Sequence, residues 1–124
     1  MTARRKRLLV VEDEATIRDP MVLYLSQLGY EADGAENGVE ALDVVKRRPY
    51  DLIILDLRMP CLDGRSFCRL LQDEGIDIPI LVATAVAEHQ PVYREAGRLI
   101  KSFSLAALRE KVEDILGGRA AGAR

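Results

Sequence analysis

Short unbroken apolar runs alternate along this chain with stretches in which apolar residues return every three or four positions. Leu8-Leu9-Val10-Val11 and Leu52-Ile53-Ile54-Leu55 are the clearest runs. Four consecutive apolar residues suit a strand covered on both faces, because alternate side chains of a strand point to opposite sides. After the first run, Ile17, Met21, Leu25 and Leu28 fall at helical spacing, and Gly29 supplies a stop. Pro20 stands inside that helix and is expected to weaken or bend it near its start. Tyr30 to Ala35 reads as a weaker strand. Asn37-Gly38-Val39-Glu40 has the form of a capping box and opens a helix to about Arg48, stopped by Pro49.

Beyond Leu55 comes a loop with Pro60 and Asp63-Gly64, then a third helix with Phe67, Leu70 and Leu71 on its inner face. Ile78 to Ala83 is the fourth strand, entered through Pro79. A polar helix is expected from roughly Glu88 to Ala96, ended by Gly97, with Leu99-Ile100 as a stub of a fifth strand. Leu105, Leu108, Val112 and Ile115 line the last helix. Five βα units in succession predict an α/β fold, an open parallel sheet with helices on both faces.

The chain has 124 residues, enough for one domain with a sizeable core. Hydrophobic residues make up 48% and charged residues 31%, with a net charge of −2, so no global field favours nucleic acid or a membrane surface. Apolar runs of strand length fall far short of a membrane span. Met1 to Arg7 is basic, but only Leu8 to Val11 follow before Glu12-Asp13-Glu14, which is no secretory signal. Cys61 and Cys68 form neither a disulfide framework nor a metal motif and read as reduced thiols. Residues 1–6, with Arg4-Arg5-Lys6, are expected to form a solvated arm before a domain over 7–116, and 117–124 a flexible tail with no second domain after it.

In open α/β sheets, ligands sit beyond the carboxyl ends of the strands, where strand order reverses. The first run ends in Glu12-Asp13, the third strand in Asp56, the fourth in Thr84 and the fifth in Lys101. If the first and third strands are neighbours, three carboxylates, a hydroxyl and an ammonium converge. Two carboxylates ~5 Å apart repel by roughly 3 kcal/mol at an effective dielectric of ~20, and here there are three. Lys101 offsets one charge, and an all-oxygen site of this kind suits Mg²⁺ for the remainder. Such a site can support phosphoryl transfer to a carboxylate nucleophile, Asp56.

At these residues the chain resembles the receiver domains of two-component response regulators. The matching stretches are Leu9-Val10-Val11-Glu12-Asp13-Glu14, Asp51 to Pro60, Asp63-Gly64, and Lys101 with Phe103-Ser104-Leu105, in order over roughly residues 7 to 116. The resemblance implies a flavodoxin-like, doubly wound five-stranded sheet of order 2-1-3-4-5. It implies Glu12 and Asp13 as the acidic pair of a Mg²⁺ site, Asp56 as phosphoacceptor and metal ligand, and the Arg58 backbone carbonyl as a further ligand. Thr84 would bind a phosphoryl oxygen and Lys101 would pair with the phosphate. The donor would be a sensor histidine kinase or a histidine phosphotransfer protein, in a bacterial cytoplasm. The domain would promote its own phosphorylation without being an enzyme in the ordinary sense.

Departures from the family pattern cluster between Thr84 and Lys101, which lie seventeen positions apart, fewer than is usual. Arg98-Leu99-Ile100 stand where the family carries an aromatic near the middle of the fifth strand. Ser102 replaces the proline that usually follows the lysine. A cis bond before a non-proline residue is costly, so a trans Lys101-Ser102 bond is expected, with Lys101 displaced or its loop rebuilt. Ser102 to Ala107 should enter a normal last helix. Val86, two positions after Thr84, predicts slow loss of the phosphoryl group, and the altered fourth-helix surface favours a monomer.

Two rival readings remain, and a third fails on charge. A phosphorylation-independent interaction module would keep the fold with an atypical output face. A phosphohydrolase with an aspartate nucleophile wants an acid two residues on, where Arg58 stands. A flavin or dinucleotide binder needs a glycine-rich phosphate cradle where Glu12-Asp13-Glu14 stands. His89 reads as a surface residue of the fourth helix, no nucleophile-elbow pattern surrounds Ser66, and Tyr24, Tyr30, Tyr50 and Tyr93 are too scattered for a nucleic-acid platform.

Overall fold

The computed structural model describes residues 5–85 and 90–117. Five parallel strands, β1 (Arg7–Val11), β2 (Glu31–Ala35), β3 (Leu52–Leu55), β4 (Ile80–Thr84) and β5 (Glu95–Ile100), form one sheet in the order β2-β1-β3-β4-β5. Four helices are present among the described residues: α1 (Ala15–Gln27), α2 (Gly38–Arg47), α3 (Gly64–Asp73) and α4 (Leu105–Leu116). No described helix is long and apolar enough to cross a membrane.

Strand alternation divides the core into two layers. Leu9, Val11, Ile53, Leu55, Ile80 and Val82 face one side, where α2 contributes Ala41 and Val45 and α3 contributes Phe67 and Leu71. Leu8, Val10, Leu52, Ile54, Leu81 and Ala83 face the other, against Met21 and Leu25 of α1 and Leu108 and Val112 of α4. Both unbroken apolar runs are buried along their whole length, as a doubly covered parallel sheet requires. Each large side chain so buried contributes about 1.5–3 kcal/mol relative to exposure.

Local signals set most boundaries. α1 runs through Pro20 without a break. It ends at Gly29, whose φ of 104° allows Gly29 N–H to reach Ser26 O and Tyr30 N–H to reach Leu25 O. Asn37 caps α2 by accepting from Glu40 N–H at 2.8 Å, and the Glu40 carboxylate returns a bond to Glu36 N–H at 2.8 Å. Both cysteines are free. Burial pushes the Cys68 thiol up to about 12, so it is an inert core residue.

The structure corrects four expectations on the C-terminal side. The helix expected from Glu88 to Ala96 is absent over its described part: residues 90–94 are coil and turn, and Glu95 already belongs to β5. Pro91 biases Gln90 away from helical backbone, and Arg94 adopts a left-handed φ of 58°. Val86, Glu88 and His89, with the expectations placed on them, lie outside the described residues, as does the tail beyond Gly117. The fifth strand is no stub but six residues long, because pairing with the whole length of β4 satisfies its backbone, with one irregularity beside Ile80 and Leu81. The last helix starts at Leu105, not Ser102. Ser104 is its cap and accepts from Ala107 N–H at 3.0 Å. Finally, the Lys101-Ser102 bond is cis and Lys101 is not displaced. The chain is anchored on both sides of that bond, by Lys101 N–H on Thr84 O at 2.9 Å and by Phe103 packed against the α1–α4 core layer.

Candidate functional site

Ladder geometry delivers the polar residues to one end of the sheet. Val11 pairs with Leu55, so the next residues, Glu12 and Asp56, emerge side by side from neighbouring strands. Asp56 N–H donates to Val11 O at 3.0 Å and Glu12 N–H to Ala35 O at 3.0 Å, continuing the strand bonding into the site. Glu12 and Asp56 are buried, whereas Asp13 is exposed. Thr84 ends β4 fully buried, and its carbonyl holds the backbone of Lys101.

Lys101 crosses the top of the sheet. Its Nζ donates to Glu12 Oε1 at 2.5 Å and to Asp56 Oδ2 at 3.2 Å. Oxygens of Glu12, Asp13 and Asp56 lie within 4.8 Å of one another, close enough to share one metal ion. Three carboxylates are hard oxygen donors of the kind that bind Mg²⁺, Ca²⁺ or Mn²⁺ rather than softer ions.

Protonation follows from the imbalance of charge. Burial lifts the Glu12 carboxyl above its usual value, and neighbouring Asp56 adds to that. The bonds from Lys101 and from Glu14 N–H oppose it without cancelling it. Lys101 is raised because its two carboxylates outweigh the opposing effect of burial. The ammonium therefore has more compensation than the Glu12 carboxylate.

Backbone donors fix the carboxylates further. Arg58 N–H donates to Asp56 Oδ1 at 3.1 Å, and Glu14 N–H to Glu12 Oε2 at 3.1 Å. The loop after β3 closes through Gly64 N–H on Leu57 O at 3.0 Å. A Cβ at Gly64 would lie 2.7 Å from Leu57 Cα and 2.8 Å from Asp56 O, so only glycine fits there. Asp63 caps α3 through Ser66 N–H at 2.9 Å, a bond that holds its carboxyl below the usual range against the effect of partial burial.

Glu12, Asp13, Asp56 and Lys101 are thus brought together as expected. Arg58 meets Asp56 through its amide. Thr84 stands at the adjoining strand end. Arg18 was not singled out from sequence, yet its Nη1 donates to Glu12 O at 2.9 Å. No motif marks it, because its side chain returns from the first turns of α1 to the strand that precedes them.

A family model, the response regulator receiver domain, matches residues 8–113. The response regulator MprA of Mycobacterium sp. strain KMS is 46% identical over 79 residues, covering 64% of this chain and 34% of that protein. A probable transcriptional regulator, ycf27 of Porphyridium aerugineum, is 36% identical over 118 residues, 91% of this chain and 49% of the relative. The chain therefore spans between a third and a half of these curated relatives. Among solved structures, the response regulator TrrA of Thermotoga maritima, in complex with Mg²⁺-BeF, superposes with a TM-score of 0.80 at 37% identity, covering 90% of this chain and 99% of that one. With five parallel strands in the order β2-β1-β3-β4-β5 and acids at the strand ends, this chain belongs to the receiver domains of two-component response regulators.

Proposed function

We propose that Asp56 is the residue that accepts the phosphoryl group. The observation that carries this is a buried carboxylate at the end of β3, held by Arg58 N–H on one oxygen and faced by Lys101 Nζ on the other. An Asp56 oxygen attacks phosphorus, the bond from phosphorus to the donor's histidine nitrogen breaks, and the imidazole retains the electron pair. The product is an acyl phosphate. Lys101 pairs with the added negative charge, and the Thr84 hydroxyl takes one phosphoryl oxygen. Glu12, Asp13, Asp56 and the Arg58 carbonyl would hold Mg²⁺. When bound, it neutralises charge between the carboxylates and the phosphoryl oxygens. A sensor histidine kinase or histidine phosphotransfer protein of the bacterial cytoplasm is the donor, and the domain acts as a monomer.

Arg98 favours a second reading in which the same fold signals without phosphate. It belongs to Arg98-Leu99-Ile100, the stretch of β5 where the family's aromatic is expected, and pairs with Glu95 through Nε at 2.9 Å. Intact-protein mass after incubation with acetyl phosphate and Mg²⁺, beside Asp56→Asn, decides between the two. One added phosphoryl group, lost in the variant, is the expected result. No addition under conditions that label an ordinary receiver would overturn the phosphoacceptor role and leave the interaction module.

A further inference from the structure

A cavity of about 260 Å³ lies between α3 and the segment 90–93. Arg65, Arg69 and Gln72 line it from α3, at helical positions i, i+4 and i+7, while Gln90 and Tyr93 line it from the other side. Buried Cys68 also lines it. Like charges four apart on a helix disfavour it, so two arginines on one rim need an explanation beyond helix stability.

The far wall is fastened in place. Arg65 Nη2 donates to Gln90 O at 2.7 Å and Arg98 Nη2 to the same oxygen at 3.2 Å. Val92 N–H donates to Glu95 Oε1 at 3.0 Å. Arg65 is thus committed to the wall. Arg69 is not: among the described residues its guanidinium reaches only the Ser66 hydroxyl, at 3.3 Å. Asp63, before α3, attracts Arg69 but is occupied in capping the helix, and Asp73, four positions beyond Arg69, makes no ion pair with it among the described residues. The carboxylate of Glu95 is held by Arg98. A cavity whose rim carries a guanidinium without an ion pair among the described residues, two amide side chains and an aromatic ring has the donors for an oxyanion and a surface for a planar body.

We propose that this cavity binds a small organic oxyanion, a phosphate or carboxylate carried on a single ring, with Arg69 as the charge-pairing residue and Tyr93 against the ring. At about 260 Å³ the cavity is smaller than those that take drug-sized ligands. The proposal does not depend on Asp56 accepting phosphate.

The test is a ¹H–¹⁵N NMR titration of the whole chain in EDTA with phenyl phosphate, benzoate and inorganic phosphate separately. Saturable shifts at the amides of Cys68, Arg69, Gln72 and Gln90 are expected with the two ring compounds, the tighter one identifying the oxyanion class. Arg69→Met should weaken binding about tenfold, the value of one charge-assisted hydrogen bond. Arg69 is exposed, so unchanged shifts elsewhere report that the variant folds. Tyr93→Ala should weaken the ring compounds alone, and Asp56→Asn should leave binding unchanged. Absence of saturable shifts at these amides, equal affinity in Arg69→Met, or loss of binding in Asp56→Asn would each overturn the site. Inorganic phosphate binding as tightly as phenyl phosphate would overturn the role of the ring.

Discussion

Lys101→Met, studied at pH 7.5 in EDTA, removes the ammonium that faces two buried carboxylates while keeping most of the stem. Lys101 Nζ lies 2.5 Å from Glu12 Oε1 and 3.2 Å from Asp56 Oδ2. Averaged over each carboxylate at an effective separation of ~4 Å, either attraction is about 4 kcal/mol at a dielectric of ~20. The two acids, within 4.8 Å, repel by about 3 kcal/mol on the same scale. Two effects reduce the net loss. The lysine side chain keeps 17% of its exposure and so part of its hydration. The cost is also capped, because Glu12 can take up a proton instead. From a reference value of 4.5, that takes about 4 kcal/mol at pH 7.5, at 1.36 kcal/mol per unit. A destabilisation of about 2–4 kcal/mol is expected by urea denaturation, overlapping the lower part of the range of about 3–5 kcal/mol for stripping a buried charge of its partner.

The decisive measurement is Asp56→Asn in both backgrounds. In the parent chain, this change gives up the attraction to Lys101 and relieves the repulsion from Glu12, so its net effect is small. In Lys101→Met only the relief remains, and Asp56→Asn should raise stability by about 1–2 kcal/mol, the repulsion discounted for solvent. Asn retains an oxygen to accept from Arg58 N–H, so shape is conserved. Additivity of the two changes within about 0.5 kcal/mol would refute the coupling. So would a neutral Lys101→Met.

Three further outcomes follow from other parts of the molecule. Gly64→Ala forces a Cβ to within 2.8 Å of Asp56 O and should cost about 1–3 kcal/mol in urea. It should also slow acetyl phosphate labelling, and an unchanged rate would count against the loop's role in placing Asp56. Burial, then the bond to Asp33 at 2.7 Å, pushes the Tyr50 hydroxyl up to about 12 from 10.0. The unfolded chain therefore loses that proton first, and Tyr50 stabilises fully below pH 10 and progressively less up to 12. The shift amounts to about 2–3 kcal/mol across that window. The stability gap between parent and Tyr50→Phe should narrow by that order between pH 9.5 and 11.5, and a constant gap would refute it. Ser104→Ala removes the α4 cap and should cost about 1 kcal/mol in urea. A loss below a few tenths would show the first turn held by packing alone.

The strand-end acids were legible because a charge placed directly after four buried apolar residues has few structural uses. Leu8–Val11 and Leu52–Leu55 read plainly for the same reason, since both faces of each strand are covered. That Glu12 and Asp56 meet is a matter of strand order, which no local pattern contains and which entered through the resemblance. The stretch from Glu88 to Ile100 read poorly, and the structure gives the cause. β5 is an edge strand of half-exposed residues, so burial imposes no clean alternation on it. Glu95 and Arg98, three apart, suit a helix face as well as the strand they occupy. Pro91 is the contrary signal that the sequence carries. Lys101 shows the converse case. Its residue type was legible, but its placement depends on Thr84 O, Glu12 and Asp56, three contacts from distant parts of the chain. These outweigh what the single exchange to Ser102 suggested, because a side chain held by two buried carboxylates is positioned by charge more firmly than by the residue that follows it.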